Sequence, residues 1–321
     1  MNYFQHYLVD EFAEDYQEGH ITRREALKLI AGVTGSILLA DSILAGCTPA
    51  AEAVATMTSS SIAGPVIPSL TATADQPTPA ATMGAAKPAS DLAIEAADVQ
   101  FSGNDATILA HLARPTGEGP FPVVLVCHEN RGLTAHIKDV ADRFAIAGYV
   151  ALAVDLLSRQ GGTGALTPDQ VPGALGNTPP DQFVQDFQDG WRYLKSQAYA
   201  KTEQTGMVGF CFGGGVTWLM ATRMPELRAA VPFYGPNPPL EDVPKIQAAV
   251  LAMYGALDQR IDQGIPAIER AMTDNHKVFE KVVYPNADHA FFNDTGTRYN
   301  PQAAQDAWIR TLDWFRKYLN Q

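Results

Sequence analysis

Cysteine is scarce: Cys47, Cys127 and Cys211 are the only three in 321 residues. Three scattered thiols make no disulfide framework, so each needs its own explanation. Positive charge is also short, with 23 Lys and Arg against 35 Asp and Glu and a net charge of −12. Phosphate backbones are bound by clustered Lys and Arg, so nucleic acid is not an expected partner. No C-x-x-C, H-E-x-x-H or calcium-loop pattern occurs, and neither a metal nor any other cofactor has support in the sequence. A permanent membrane span is disfavoured too. The apolar run near the N-terminus is interrupted by Gly32, Gly35 and Asp41, and a charge at mid-bilayer is costly. What is plentiful is ordinary apolar material, 46% against 18% charged, enough to bury a sizeable core in one large α/β domain or two average ones.

The first ninety residues read as something other than core. "ITRREALKLIAGVTGSILLADSILAGC" places Arg23, Arg24 and Lys28 before a moderately apolar stretch, the layout of an export signal of the twin-arginine kind. It closes on Leu44-Ala45-Gly46-Cys47, which resembles the lipobox of bacterial lipoproteins, where the cysteine is acylated and becomes the new N-terminus. Residues 1–47 are therefore expected to be an export signal with Cys47 as a lipidation site. The protein would then lie on the periplasmic or extracellular side of the membrane, tethered through that lipid. The acidic lead-in "LVDEFAEDYQEG" is long for such a signal, and His6 and His20, which precede the export segment, are set aside as site candidates. Residues 48–90 are rich in Thr, Ala, Ser and Pro, a composition that buries too little surface to order itself, so a flexible linker is expected.

From Asp91 the texture changes. "ATILAHLARP" and "FPVVLVCHE" read as strands, the second suited to a sheet covered on both faces. A helical stretch follows with Val140, Phe144 and Ala147 on one stripe, then "VALAVDLL" as a buried strand. Phe183, Phe187, Trp191 and Leu194 recur at helical spacing and predict an amphipathic helix over 181–197. Three more apolar runs, "AAVPFYG", "AAVLAMYG" and "HKVFEKVVYP", precede a closing helix with Trp308, Leu312, Phe315 and Leu319 on one face. Alternating strands and helices imply an α/β fold with a mostly parallel sheet and helices on both sides, a single catalytic domain over 91–321. Functional groups should gather where strands end at their carboxyl edge. The Gly- and Pro-rich segment 158–180 is expected to form a long loop over that edge.

One stretch carries chemistry. In "VGFCFGGG", Cys211 ends a strand and opens a helix, with Gly209 two residues before it and Gly213 two after. A strained nucleophile elbow needs small residues at both places, and a thiol at a helix N-terminus has its thiolate favoured by the dipole. The Phe212 N–H would then face an acyl oxyanion. A lone free cysteine is more often only packing, but two later features favour catalysis. Asp258 follows one strand and His289 the next, in the order nucleophile, acid, histidine of the α/β-hydrolase sheet. Histidine can take the thiol proton and the acid can fix its tautomer. Asp258 is preferred over Asp288, whose side chain should diverge from its neighbour His289, and over Asp262, better placed to cap a helix. His276 precedes a strand at the far edge and His111 sits inside an early strand; surface or packing roles suit both.

Residues 91–321 resemble the dienelactone hydrolase (carboxymethylenebutenolidase) family of the α/β-hydrolase superfamily, through "VCHENRGL", "DLLSRQ", "GFCFGGG", "YGALDQRI" and "YPNADHAFFND". The resemblance implies a triad of Cys211, Asp258 and His289. It makes Glu129 the glutamate that contacts the nucleophile and helps form the thiolate, and Asn130 the second oxyanion-hole N–H beside Phe212. It makes Arg159 a substrate-carboxylate ligand. The family's second carboxylate-binding arginine is replaced here by Asn293, which cannot clamp a carboxylate at two points; Arg298 and Arg131 are the nearby substitutes. Cys127 is expected in the core, and His128 is a candidate for the pocket wall. The expected activity is hydrolysis of a lactone or carboxylic ester through an acyl-thioester, by a monomer acting on a small molecule. The rival readings are a broad carboxylesterase and a non-catalytic surface binding protein on the same scaffold.

Overall fold

The computed structural model describes residues 1–47 and 93–320; the linker expected over 48–90 lies outside the described residues. Eight strands form one sheet: β1 Ile94–Ser102, β2 Thr107–Pro115, β3 Phe121–Cys127, β4 Val150–Val154, β5 Ala200–Phe210, β6 Leu227–Phe233, β7 Ala249–Gly255 and β8 Phe279–Tyr284. Their order is β1-β2-β4-β3-β5-β6-β7-β8. The β1–β2 and β2–β4 pairs are antiparallel and every other pair is parallel. Strands β4 and β7 are buried at every position, as continuous apolar runs require when helices cover both faces. The chain leaves β3 for β4 on one side and returns to β5 on the other. That reversal opens a crevice beyond the carboxyl ends of β3 and β5, where α/β sheets place their ligands.

Two readings of the catalytic domain change. Strand β1 was not expected; six of its nine residues are exposed, so its apolar signal is weak, and it is held by a nine-residue antiparallel register with β2. Segment 158–180 is more than a loop. It holds 3-10 turns at Ser158–Gln160 and Thr163–Ala165 and a helix at Val171–Asn177. Pro172 lies in that helix's first turn, where its missing N–H leaves no bond unmade. The remaining helices on the sheet include Ala135–Ile146, Pro180–Lys195, Phe212–Arg223, Ile265–Asp274 and Pro301–Leu319. The second of these buries Phe183, Phe187 and Leu194 as its spacing predicts, with Trp191 packed beside them.

Residues 1–47 fold against the domain as three helices: α1 Tyr3–Gln17, α2 Arg23–Thr34 and α3 Ile37–Ala45. The first two begin at capping boxes, Asn2 with Gln5 and Thr22 with Glu25, each of which satisfies two otherwise orphaned N–H groups. Gly35, in the left-handed conformation, ends α2. Phe4, Leu8 and Phe12 are fully buried, and the Phe4 ring packs against Phe183 and Phe212. Burial of each such side chain contributes about 1.5–3 kcal/mol. The twin arginines Arg23 and Arg24 are exposed, as are Ile37, Leu38 and Leu39. Among the described residues no helix is long and apolar enough to cross a membrane.

Candidate active site

The turn between β5 and the helix Phe212–Arg223 holds Cys211 at φ 58° and ψ −120°, a strained conformation for a residue with a side chain. The glycines around it are required by contact. A Cβ on Gly209 would lie 2.1 Å from the Gly213 carbonyl oxygen, and one on Gly213 would lie 2.4 Å from that of His128. The elbow thus packs against the turn after β3, which brings Asn130 opposite the start of the helix. Phe212 is the first residue of that helix, where an N–H has no intrahelical acceptor.

Asp258 and His289 arrive on the exits of β7 and β8. Asp258 uses both oxygens: Oδ1 accepts the Ile261 N–H at 3.2 Å, and Oδ2 meets His289 Nδ1 at 2.6 Å. The first bond caps the one-turn helix Gln259–Asp262 and aims the carboxylate for the second. The cap expected of Asp262 therefore belongs to Asp258; Asp262 ends that turn, and its Oδ1 is buried with no partner among the described residues. Asp288 accepts the His289 backbone N–H at 2.6 Å, so it serves the main chain while Asp258 holds the ring. The imidazole lies 5.1 Å from the Tyr234 ring. Its Nε2 is buried without a hydrogen-bond partner among the described residues, facing the same cavity of about 170 Å³ that Cys211 lines.

Two further side chains reach the sulfur, and neither was expected. Both come from α1. The Tyr7 hydroxyl lies 3.2 Å from Cys211 Sγ, and the Glu11 carboxylate oxygens lie 3.5 and 3.6 Å from it. Glu11 Oε1 also accepts from Asn130 Nδ2 at 2.8 Å and stands 3.9 Å from His289 Nε2. Arg260, which pairs with Glu14 at 2.7 Å, lies 3.9 Å from Glu11 and over the Tyr7 ring. The signal was present in the sequence as Phe4, Leu8 and Phe12, four residues apart, an apolar helical stripe inside the acidic lead-in.

Charge follows from these contacts. Burial opposes ionisation of Glu11, but His289 and Arg260 outweigh it and hold its pKa below the ordinary carboxylate value. Burial likewise opposes the Asp258 carboxylate, and the His289 contact reverses the effect, so its pKa is lowered. For His289, burial disfavours the imidazolium, yet Asp258 and Cys211 raise its pKa well above the usual 6.5. Burial pushes the Cys211 thiol up and the Glu11 charge adds to it, against the pull of His289. Among the described residues, Glu11, Cys211 and His289 bring a carboxylate, a thiol and an imidazole within 4.8 Å of one another.

The residues assigned by resemblance fall in different places. Glu129 lines the cavity, but its Oε2 accepts from Asn293 Nδ2 at 2.7 Å and its Oε1 is buried without a partner among the described residues. Burial raises its pKa. The carboxylate against the thiol is that of Glu11. Arg159 pairs with Asp105 and with the buried Asp186 and is not among the residues lining the cavity. Arg131 and Arg298 do line it, with Arg298 paired to Asp15 at 3.1 Å. His128 is buried, ties to the Glu129 carbonyl at 2.7 Å and accepts the Leu156 N–H at 3.2 Å, joining the ends of β3 and β4. Cys127 is fully buried. His111 lies between Asp98 and Asp142, 2.9 Å from each. Cys47 is half-buried just beyond α3.

Similarity to other proteins agrees with this geometry. The profile of the "Dienelactone hydrolase family" matches residues 108–319. A protein of Methylorubrum extorquens, provisionally named carboxymethylenebutenolidase, is 38% identical over 236 residues, which span 70% of this chain and 81% of that protein. An Escherichia coli K12 protein of the same provisional name is 34% identical over 223 residues, 65% of this chain and 82% of the other. Among solved structures, a provisionally named dienelactone hydrolase from Klebsiella pneumoniae superposes with a TM-score of 0.66 at 32% identity, covering 70% of this chain and all of that one. The acylaminoacyl peptidase of Pyrococcus horikoshii shares the fold at a TM-score of 0.56 and 16% identity, over 70% of this chain and 42% of its own. The matched profile begins within β2, which leaves α1, α2 and α3 outside it. The chain belongs to the dienelactone hydrolase family, in the α/β-hydrolase fold, and is a hydrolase of esters or lactones.

Proposed function

We propose that this hydrolysis runs through the Cys211 thiol, with His289 as the proton carrier and Asp258 as its orienting acid. The reading rests on one observation: His289 is fixed to Asp258 at 2.6 Å through Nδ1 while its Nε2 has no hydrogen-bond partner among the described residues in the cavity that Cys211 lines. In the first half-reaction the Cys211 S–H proton passes to His289 Nε2 as sulfur bonds to the substrate carbonyl carbon. The carbonyl π electrons move to oxygen, which the N–H groups of Phe212 and Asn130 stabilise. When the C–O bond breaks, the leaving alkoxide takes the proton from His289, and an acyl-thioester remains on Cys211. In the second, His289 removes a proton from water, the hydroxide adds to the thioester, and collapse expels the thiolate, which takes the proton back from His289 as the carboxylic acid departs.

The two positions that the family uses for a substrate carboxylate supply no clamp here, and Arg131 and Arg298 are the cationic side chains that line the cavity. Arg159 is engaged by two aspartates, Asn293 is engaged by Glu129, and neither is free to clamp a substrate carboxylate. We further propose that the chain is exported and tethered as a monomer, supported by the exposed Arg23 and Arg24 and by the bare apolar run Ile37, Leu38 and Leu39 shortly before Cys47. A mass measurement on the membrane fraction would show acylation of Cys47 or rule it out.

The catalytic reading is tested with the full chain and its Cys211→Ala variant on simple aryl esters and on a dienelactone. The expected result is loss of activity in the variant and, in the wild type under rapid quench, an acyl mass on the peptide bearing Cys211. Unchanged hydrolysis by the variant would overturn the mechanism. Turnover of aryl esters alone would mark a broad carboxylesterase.

A further inference from the structure

The most unusual feature of the site is a helix from outside the matched family region, seated against the sulfur. Resting on the catalytic reading above, we propose that α1 is an intramolecular inhibitor whose Glu11 carboxylate occupies the acyl site as a tethered mimic of the acid product.

The geometry carries the assignment. Hydrolysis ends with a carboxylic acid lying between the cysteine sulfur, the histidine and the oxyanion side of the pocket. Glu11 lies there now: both oxygens within 3.6 Å of Cys211 Sγ, one of them on Asn130 Nδ2 and 3.9 Å from His289 Nε2. A substrate carbonyl carbon must come within about 3–3.5 Å of the same sulfur, so the two cannot be accommodated together. Tyr7 closes a second approach at 3.2 Å, and Cys211 is left 3% exposed. The charge acts in the same sense, because an ionised carboxylate beside sulfur disfavours the thiolate. The titratable groups facing the thiol are Tyr7 and Glu11 from α1, Cys127 and Glu129 at the end of β3, Tyr234 after β6 and His289 after β8, with Arg260 and Arg298 behind Glu11.

The helix is built to dock and is not woven into the sheet. Its hold is made by side chains: packing by Phe4, Tyr7, Leu8, Val9 and Phe12, ion pairs from Glu11 and Glu14 to Arg260 and from Asp15 to Arg298, and hydrogen bonds from the capping Asn2 and from Tyr3 to the Gly176 and Asn237 carbonyls. A cavity of about 320 Å³ lined by Tyr3, His6, Tyr7 and Arg260 lies on its other flank. Cleavage at Cys47, the bond an export pathway with lipidation would cut, would separate all three N-terminal helices from the hydrolase. The inhibited form would then be the one that precedes processing.

The test compares Glu11→Ala and Glu11→Gln with wild type in the full chain, reading two signals. The first is iodoacetamide alkylation of Cys211, followed by peptide mass against pH, which needs no substrate. The second is kcat/KM on a neutral aryl ester. Glu11→Ala, which removes both bulk and charge, is expected to raise both by about tenfold or more, the gain from roughly one unit of thiol pKa alone. Its alkylation midpoint should move to lower pH. Glu11→Gln, which keeps the bulk, should fall between it and wild type. Tyr7→Phe serves as a second variant with a smaller rise. A fall in kcat/KM with Glu11→Ala would make Glu11 a catalytic group and overturn the proposal, as would alkylation unchanged in both Glu11 variants. If alkylation rises while no ester is hydrolysed, the inhibitor stands and the catalytic reading fails.

Discussion

The carboxyl edge of the sheet and the N-terminal helix both place side chains on Cys211, but they hold them by different means. At the sheet edge the backbone does the positioning. Cys211 is fixed in a strained turn with no room for a Cβ on either flanking glycine, and Asp258 is aimed by the helix turn it caps. Such groups cannot be withdrawn without unfolding the strands that carry them. The α1 groups depend on docking, through buried side chains such as Phe4, Leu8 and Phe12 and ion pairs to Arg260 and Arg298. Docked contacts can be released while the sheet stays intact. One region therefore creates the reactivity of the thiol, and the other is in a position to restrain it.

The sharpest way to separate the two regions is to damage the fixed one. Asp258→Asn would leave the helix cap possible but present His289 with the wrong partner for its Nδ1–H. By analogy with other triads, kcat should fall on the order of 10³-fold or more with KM little changed, measured by steady-state hydrolysis of an aryl ester. A fall of less than tenfold would mean that the 2.6 Å contact is structural, and that the sheet edge is no more essential to the chemistry than α1.

The same contrast explains what could be read from the sequence. Groups placed by backbone leave local marks: apolar runs for β3 through β7, glycines at 209 and 213, and an acid and a histidine just past successive strands. Groups placed by docking leave only a helical stripe, and in α1 that stripe is hidden among five acidic residues between positions 10 and 18 and followed by a twin arginine. Reading those residues as a leader removed Tyr7 and Glu11 from consideration. Composition misled in a second place, since Gly173 and Gly176 sit in a helix that packs closely on α2, with the Gly173 Cα near Gly32. Resemblance placed a glutamate beside the nucleophile at 129, whereas the side chain in contact comes from 118 residues earlier in the chain, at Glu11.

An intermediate effect is expected from loosening the dock. Phe12→Ala removes a fully buried ring from α1, a loss of about 3–5 kcal/mol if the site does not collapse. That is enough to shift α1 toward its released form. Limited proteolysis should then cut within residues 1–47 sooner, and Cys211 alkylation should quicken by roughly the tenfold expected of Glu11→Ala. Faster cutting with no change at Cys211 would break the comparison, because the helix would be leaving without exposing the thiol.

The smallest effect separates the two glutamates. Glu129 and Glu11 both line the cavity, but their charges are set in opposite senses. Burial raises the Glu129 pKa against the pull of His136 and the hydrogen bond from the neutral Asn293 amide. Glu11, with His289 and Arg260 beside it, is held in its ionised form. Replacing Glu129 with Gln therefore removes less charge from the neighbourhood of the thiol at neutral pH than the same change at Glu11. The Asn293 contact can persist to the amide oxygen. Alkylation of Cys211 should change by less than about threefold, or about half a pKa unit, against the larger rise expected for Glu11→Gln. Equal shifts in the two variants would mean that the sulfur feels the whole pocket's charge and not the carboxylate in contact with it, and α1 would lose its distinct electrostatic part.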